Sequence, residues 1–481
     1  MLNLGTLIIT PLIGILLNTL FVKNKNSAKA FNVGIVFALI NMIISLIITY
    51  HFDFNNVTAI QFESQKFIIF NAFYLYNVGI DGLSLLMILL TNFLIILCLL
   101  SAKNSIKNKT AFFVNLFLLL QIFCIGLFVS KSIIWFYIFF EAILIPMFFV
   151  IGIWGGVNKI YASYKFFIYT LIGSLCFLLG LIYTVLSTGS TDILQIIEVL
   201  QSNPLEQNIE KLIWLAFFIS LAIKVPMFPF HTWLPDAHVQ APTAGSVLLA
   251  GILIKIGGFG MIRFLLPMFP SASLYFSDFV IYLSIVAIIY GSIIAIMQED
   301  IKKMIAYSSV AHMGFVTAAI FSLTQTGITA SIFQMFSHGI VSGALFLCIG
   351  VLYERFHTRE FKNFGGLAAK MPNFAILLMI FTMSSAGLPM TSGFVGEFMT
   401  IVAVYSKSIF YSFGVGLSVI FGAVYMLYMY KKTMFGKLNT QHSIINDLTK
   451  TEIISLSSLA IITIVSGIYP TIITKFVPII L

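Results

Sequence analysis

Six ionisable side chains interrupt the apolar runs of this sequence, and all six are of types that take and give protons. Glu141 sits in FYIFFEAILIPMFF, nine residues into its run, and Lys255 in LLAGILIKIGGFG, twelve residues into its own. At the rise of an α-helix those positions lie about 14 Å and about 18 Å deep. Lys224 closes the apolar half of LAIKVPMFPFHTWLPDAH, Glu397 follows the glycines and proline of SAGLPMTSGFVGEF, and His312 (SSVAHMGF) and His338 (MFSHGIVSG) occupy two further runs. A charge at the centre of a bilayer costs about 2.5–3.5 kcal/mol on insertion scales, so each group needs protein or water around it and a partner. Desolvation favours the neutral form of an amine, which brings a lysine toward proton exchange at neutral pH. A nearby ionised carboxylate opposes that pull and stops opposing it once protonated. Glu141 and Lys224 are therefore expected to act as a switchable pair, with the histidines as relays between lysines.

Each position also admits a structural role. Glu141 and Lys224 can lock two helices together as an ion pair, either histidine can be a satisfied core residue, and Glu397 can cap amides exposed at the break. Lys255 resists such a reading most, because its ammonium is too deep to snorkel to water. His231 and His238 follow the prolines directly. His231 is a possible member of the proton path, yet both histidines also fit an inner interface with no such role. Asp81 and Asp236 read as loop-edge residues, and the tyrosines and phenylalanines as interfacial anchors and packing.

The elements that must hold these groups are membrane helices. The 481 residues are 60% hydrophobic and only 9% charged, with mean hydropathy +1.05, which excludes a set of soluble domains. Apolar segments of about 20 residues, enough to cross a hydrocarbon core about 30 Å thick, recur from end to end. The expected fold is an all-α polytopic membrane protein with about fourteen transmembrane helices. They fall at 2–22, 30–50, 80–102, 111–130, 132–152, 163–186, 211–230, 243–266, 278–297, 304–322, 329–352, 373–406, 408–431 and 453–475. Of the 26 lysines and arginines, eighteen fall in alternate loops assigned to the inside and six on the opposite side, with Lys224 and Lys255 within the membrane. That asymmetry puts both termini outside. The first apolar run, Leu4 to Val22, lacks a basic leader and a small-residue cleavage site, so it reads as a retained span.

Two segments resist a simple helix. The run 373–406 would be about 51 Å long as one helix, and Gly387, Pro389, Gly393 and Gly396 predict a break near Pro389. The other break falls at Pro226 and Pro229, and the two align as KVPM (224–227) and GLPM (387–390). The correspondence divides the chain into a three-helix segment (1–110), a five-helix repeat (111–266), a second five-helix repeat (278–431), and a terminal loop with the last helix (432–481). An odd number of spans per unit makes the second repeat inverted, and each repeat carries its broken helix fourth. Inverted repeats with interrupted helices are typical of ion-coupled transport proteins. Freed carbonyls and amides at a break require protein or trapped water, so a hydrated pocket is expected beside Lys224.

Other function classes find no support. Cys98, Cys124, Cys176 and Cys348 are scattered singly, which suggests neither an iron–sulfur cluster nor a disulfide framework. No metal-ligand cluster and no nucleotide-binding glycine motif is present, so no cofactor-binding or metal residue is expected in this chain. The net charge of +9 comes without a basic patch interleaved with aromatics and reads as an orientation signal, not a nucleic-acid footprint.

Several stretches carry a family resemblance. HTWLPDAHVQAPTAGSVLLAGILIKIGGFGMIRF (231–264) resembles the antiporter-like proton-pumping chains of NADH:quinone oxidoreductase, respiratory complex I, the family of the bacterial M chain and mitochondrial subunit 4. VGIDGLSLLM (78–87), FYIFFEAILIPM (136–147), DIKKMIAYSSVAHMGF (300–315) and GLPMTSGFVGEF (387–398) fit the same family. The resemblance implies a subunit without a redox centre. NADH, flavin, iron–sulfur clusters and quinone would be handled by partner chains, and its neighbours would be other membrane-arm subunits, including further antiporter-like chains, in the lipid bilayer. It also implies roles by position. Glu141 matches the glutamate of the fifth helix, Lys224 the lysine of the broken seventh, Lys255 the central lysine of the eighth, and Glu397 the acidic terminus on the broken twelfth. His231, His312 and His338 fall at further polar positions of the central axis. The implied location is the bacterial inner membrane with both termini periplasmic, a mitochondrial inner membrane being the lesser alternative. Protons would be taken up near Glu141 and Lys224, pass Lys255 and the histidines, and leave near Glu397. The competing function is a subunit of a multi-chain sodium/proton antiporter. A purely structural membrane scaffold leaves the buried charges unexplained.

Overall fold

An apolar chain in lipid must satisfy its amides and carbonyls internally, and a helix does so within each segment. The structure, a computed structural model, describes residues 3–21, 27–64, 67–69, 73–437 and 446–479, and it is all-α apart from one short hairpin. Lys23, Lys25 and Lys66, which contribute to the charge asymmetry, lie outside the described residues. Among the described residues, eleven helices are long and apolar enough to cross a membrane. Three expected spans are not among them, each for a plain reason. Gly5–Phe21 has 17 residues, and Gln207–Lys224 carries Glu210 and Lys211 besides Lys224. The run 373–406 is split into Pro372–Ser385 and Ser392–Tyr405.

The helices sort into an inner set and an outer set. Thr243–Met268 and Gln325–Phe356 are enclosed on all sides, whereas Ile409–Met434 is only 28% buried and forms part of the rim. Where every helix is apolar all round, amphipathicity cannot mark the inward face. Small and polar residues do that instead. The hairpin, Phe67–Ile69 paired antiparallel with Phe73–Tyr76, belongs to the long connection before Gly82–Ser105. The backbone bridge Val78–Ser130 ties that connection to the end of Thr110–Val129, and Ser132–Asp192 joins the starts of Ile133–Ala142 and Ile193–Ser202.

Both expected breaks are present, and their loose backbone groups are accounted for. Gln207–Lys224 stops where Pro226 and Pro229 lack N–H donors, and the chain resumes as Trp233–Gln240. The Met227 amide donates to the Ala222 carbonyl at 2.8 Å, and the Trp233 indole donates to the Ile223 carbonyl at 3.0 Å. At the second break the Leu388 amide donates to the Met383 carbonyl at 2.9 Å, and the Gly393 amide to Ser384 Oγ at 3.2 Å.

Two further irregularities were not expected. The helix carrying Glu141 is interrupted after Ala142, with Ile133–Ala142 followed by Leu144–Trp154. Pro146 supplies no N–H for the Ala142 carbonyl, which is the cause. The central helix Thr243–Met268 contains two π-helical stretches, Leu249–Leu253 and Met261–Leu265, on either side of Lys255. Such widened turns are frequent at functional sites.

Candidate proton-transfer axis

Lys255 is fully buried in the middle of the central helix. Its ammonium donates to the Ala250 carbonyl, one of the groups within the first π-helical stretch. Nζ also lies 2.6 Å from His338 Nδ1. What brings these two helices so close is a pair of glycines. A Cβ on Gly339 would stand 2.9 Å from the Gly251 carbonyl, and one on Gly251 would stand 3.6 Å from the Gly339 carbonyl. Small residues at such positions let membrane helices approach backbone to backbone.

From His338 the chain of polar groups continues. Its ring centroid is 5.5 Å from that of His312, and its second nitrogen, Nε2, is buried without a hydrogen-bond partner. His312 Nδ1 is 3.0 Å from Glu397 Oε1, and its Nε2 is 3.1 Å from Ser385 Oγ. Glu397 thus faces a histidine across the helix boundary. It sits in the second turn of Ser392–Tyr405, past the amides of the break that a cap would reach. Gln334, His338 and Ser342 share one helix face by their four-residue spacing. The Gln334 side-chain oxygen is buried without a partner beside Gly396. A cavity of about 20 Å³ touches Gln334, Ser337, His338, His312, Ser385 and Glu397, enough room for one water among several polar partners.

Lys255, His338, His312 and Glu397 therefore form one contact chain. The other expected residues stand apart from it. Lys224 is buried, and its ammonium lies 4.5 Å from the centroid of the Phe140 ring. Glu141 is within electrostatic reach of Lys224, yet no ion pair joins the two among the described residues. The two expected partners are therefore not in direct contact, and the Phe140 ring face takes the place beside the ammonium. One Glu141 oxygen, Oε1, is buried without a partner, and the neighbouring Ser174 hydroxyl donates to the Leu171 carbonyl at 2.8 Å. Lys224 also has a favourable place as the last residue of its helix, where the dipole's negative end attracts a cation. Gly257 lets that helix close on the central one, since a Cβ there would meet the Leu221 carbonyl at 2.6 Å. His231 packs against Phe228 and Tyr290, at ring-centroid distances of 5.8 Å and 5.1 Å, and touches none of the axis residues.

Residues the sequence did not single out complete the site. Phe140 carries the cation contact of Lys224, and Ser385 orients His312. Ser385 lies just before GLPM, so proximity to the break was the available signal. A separate cavity of about 430 Å³ opens among Glu354, Arg355, Asp447 and Glu452 and includes no residue of the axis. Among the described residues no group of three or more His, Cys, Asp or Glu could hold a metal ion.

Comparison with known proteins converges on one group. Residues 130–423 match the family model described as "NADH:quinone oxidoreductase/Mrp antiporter, TM". The chain is 48% identical over 466 residues to NADH-quinone oxidoreductase subunit M of Rickettsia prowazekii (strain Madrid E), covering 96% of this chain and 94% of that one. A chain in the structure of respiratory complex I from Thermus thermophilus with bound NADH superposes with TM-score 0.88 at 28% identity, covering 98% of this chain and 97% of that chain. A chain of the Mrp complex from Dietzia sp. DQ12-45-1b superposes with TM-score 0.87 at 19% identity, covering 98% and 96%, a likeness of fold alone.

Proposed function

Because the chain belongs to the NADH:quinone oxidoreductase/Mrp antiporter membrane family, we propose that it is the proton-translocating membrane-arm subunit of an NADH:quinone oxidoreductase. The observation that carries this reading is the contact chain Lys255–His338–His312–Glu397, buried in a multi-pass membrane protein. Each member can exist in a form that holds one more proton than the other. A proton on Lys255 passes to His338 Nδ1 across 2.6 Å, and a water in the adjacent cavity, or a ring movement, bridges to His312. His312 hands it to Glu397. Lys224 sets the charge state of this line from outside it, tuned by Glu141 through space and by the Phe140 ring face.

The oxidation of NADH and the reduction of quinone belong to partner subunits, with their flavin and iron–sulfur clusters, and this chain contributes no cofactor site. Its neighbours are other membrane-arm chains, including antiporter-like ones. The two broken helices are the fourth members of inverted five-helix repeats, 111–266 and 278–431, set between 1–110 and 432–481. The location is a bacterial inner membrane with both termini on the periplasmic side. The sodium/proton antiporter reading has weaker support, resting on the shared family description and a 19% identical fold match.

The test is to replace Glu141 or Lys224 by alanine in the intact complex and to measure proton uptake into membrane vesicles during NADH oxidation. Most translocation and coupled turnover should be lost while the complex still assembles. Full translocation in both variants contradicts the assignment.

A further inference from the structure

Lys302 is a second buried lysine that the axis does not use. It sits in the first turn of Ile301–Phe321, 6% exposed, and its ammonium donates to the Ala241 carbonyl at 2.5 Å. The nearest acid in sequence is turned elsewhere. Asp300 Oδ1 accepts from the amides of Lys302 and Lys303, and Oδ2 is 3.4 Å from Arg359 Nε. Among the described residues no ion pair neutralises Lys302. Capping the short Trp233–Gln240 helix does not by itself explain a lysine here. Arg359 already donates to the Val239 carbonyl at 2.6 Å and keeps its charge permanently. Lys302 adds a cation that can become neutral.

His238 lies on that same short helix and is fully buried. Its ring stacks on Phe346 at 4.5 Å and 8°, and neither ring nitrogen has a hydrogen-bond partner. It is within electrostatic reach of both Lys302 and Lys255, and His338 is within reach of His238 in turn. Lys302 also shares a helix face with Ile305, Ser309 and His312, by steps of three and four residues.

We propose that Lys302 is a proton-loading residue at the lysine- and arginine-rich face of the protein, and that it feeds the Lys255–His338 pair through His238 by a route that does not pass Lys224. The inference rests on the function proposed above. Neutral Lys302 takes one proton from water at that face. The resulting ammonium gives it to a ring nitrogen of His238, and the imidazolium gives it to Lys255 or His338. Each transfer moves one proton and returns the donor to the form that accepts the next.

Lys302→Arg is the discriminating variant, because it keeps a cation on the Ala241 carbonyl but cannot lose its proton. In the intact complex in membrane vesicles, its proton uptake per NADH oxidised should be mostly lost. Assembly on a native gel and electron transfer from NADH to an artificial acceptor should stay at the wild-type level. Arg359→Gln, which removes the permanent cation from the Val239 carbonyl and from Asp300, should keep its uptake. If Lys302→Arg does not assemble, His238→Gln decides, with the same loss expected. Wild-type uptake in the assembled variant overturns the proposal. Lys255→Ala run alongside separates the two failures. Normal uptake in Lys302→Arg with loss in Lys255→Ala removes only the inlet, and normal uptake in both removes the proton axis as well.

Discussion

The two broken helices use the same backbone device to hold opposite charges in different surroundings. In each, a proline ends an apolar half-helix, and an amide beyond the usual reach takes a freed carbonyl, Met227 to Ala222 and Leu388 to Met383. The first break is packed inside, with Val225 and Met227 buried, whereas the second comes to the side of the bundle, with Leu388 and Met390 45% and 65% exposed. The first presents Lys224 to an aromatic face, while the second presents Glu397 to His312 at 3.0 Å. A break therefore does not by itself make a proton-transfer step. Among the described residues, the second break has a titratable side chain in contact with its charged residue, and the first has an aromatic ring.

That contrast yields an ordered pair of expectations. The larger effect belongs to Glu397→Gln, which keeps the length and a hydrogen-bonding oxygen toward His312 but cannot ionise. Proton uptake per NADH oxidised should be mostly lost with the complex assembled. An unchanged ratio would make the Glu397–His312 contact structural only. The smaller effect belongs to Phe140→Leu at the first break. A desolvated cation–π contact is worth about 2 kcal/mol, and its loss should reduce translocation severalfold without abolishing it, since Lys224 and Glu141 remain. A collapse equal to that of Lys224→Ala would instead show that the ring is as necessary as the charge it faces.

Much of this arrangement was legible in the sequence because it depends on local rules. Apolar length marked the spans, and Pro226, Pro229 and Pro389 marked both breaks. The membrane's cost for charge picked out Glu141, Lys224, Lys255 and Glu397. The interruption after Ala142 was equally local, and Pro146 was its unread signal. What was not legible depends on how helices meet. Nothing in the spacing of Glu141 and Lys224 says that Phe140 takes the direct contact. The pairing of Lys255 with His338 rests on the approach of Gly251 to Gly339 and on widened turns around Lys255, which apolar periodicity does not encode. Lys302 falls just ahead of the span expected at 304–322 and so counts among the inner-loop charges. Its helical register with His312 was the sign of an inward face.

The central claim is that protons cross the middle of this protein on Lys255 and its histidine neighbours, and Lys255→Met tests it most directly. Methionine keeps an unbranched side chain in the buried site and removes only the group that carries the proton. Proton uptake per NADH oxidised, measured in vesicles containing the intact complex, should be mostly lost, with assembly and electron transfer to an artificial acceptor unchanged. A wild-type ratio in that variant would contradict the account.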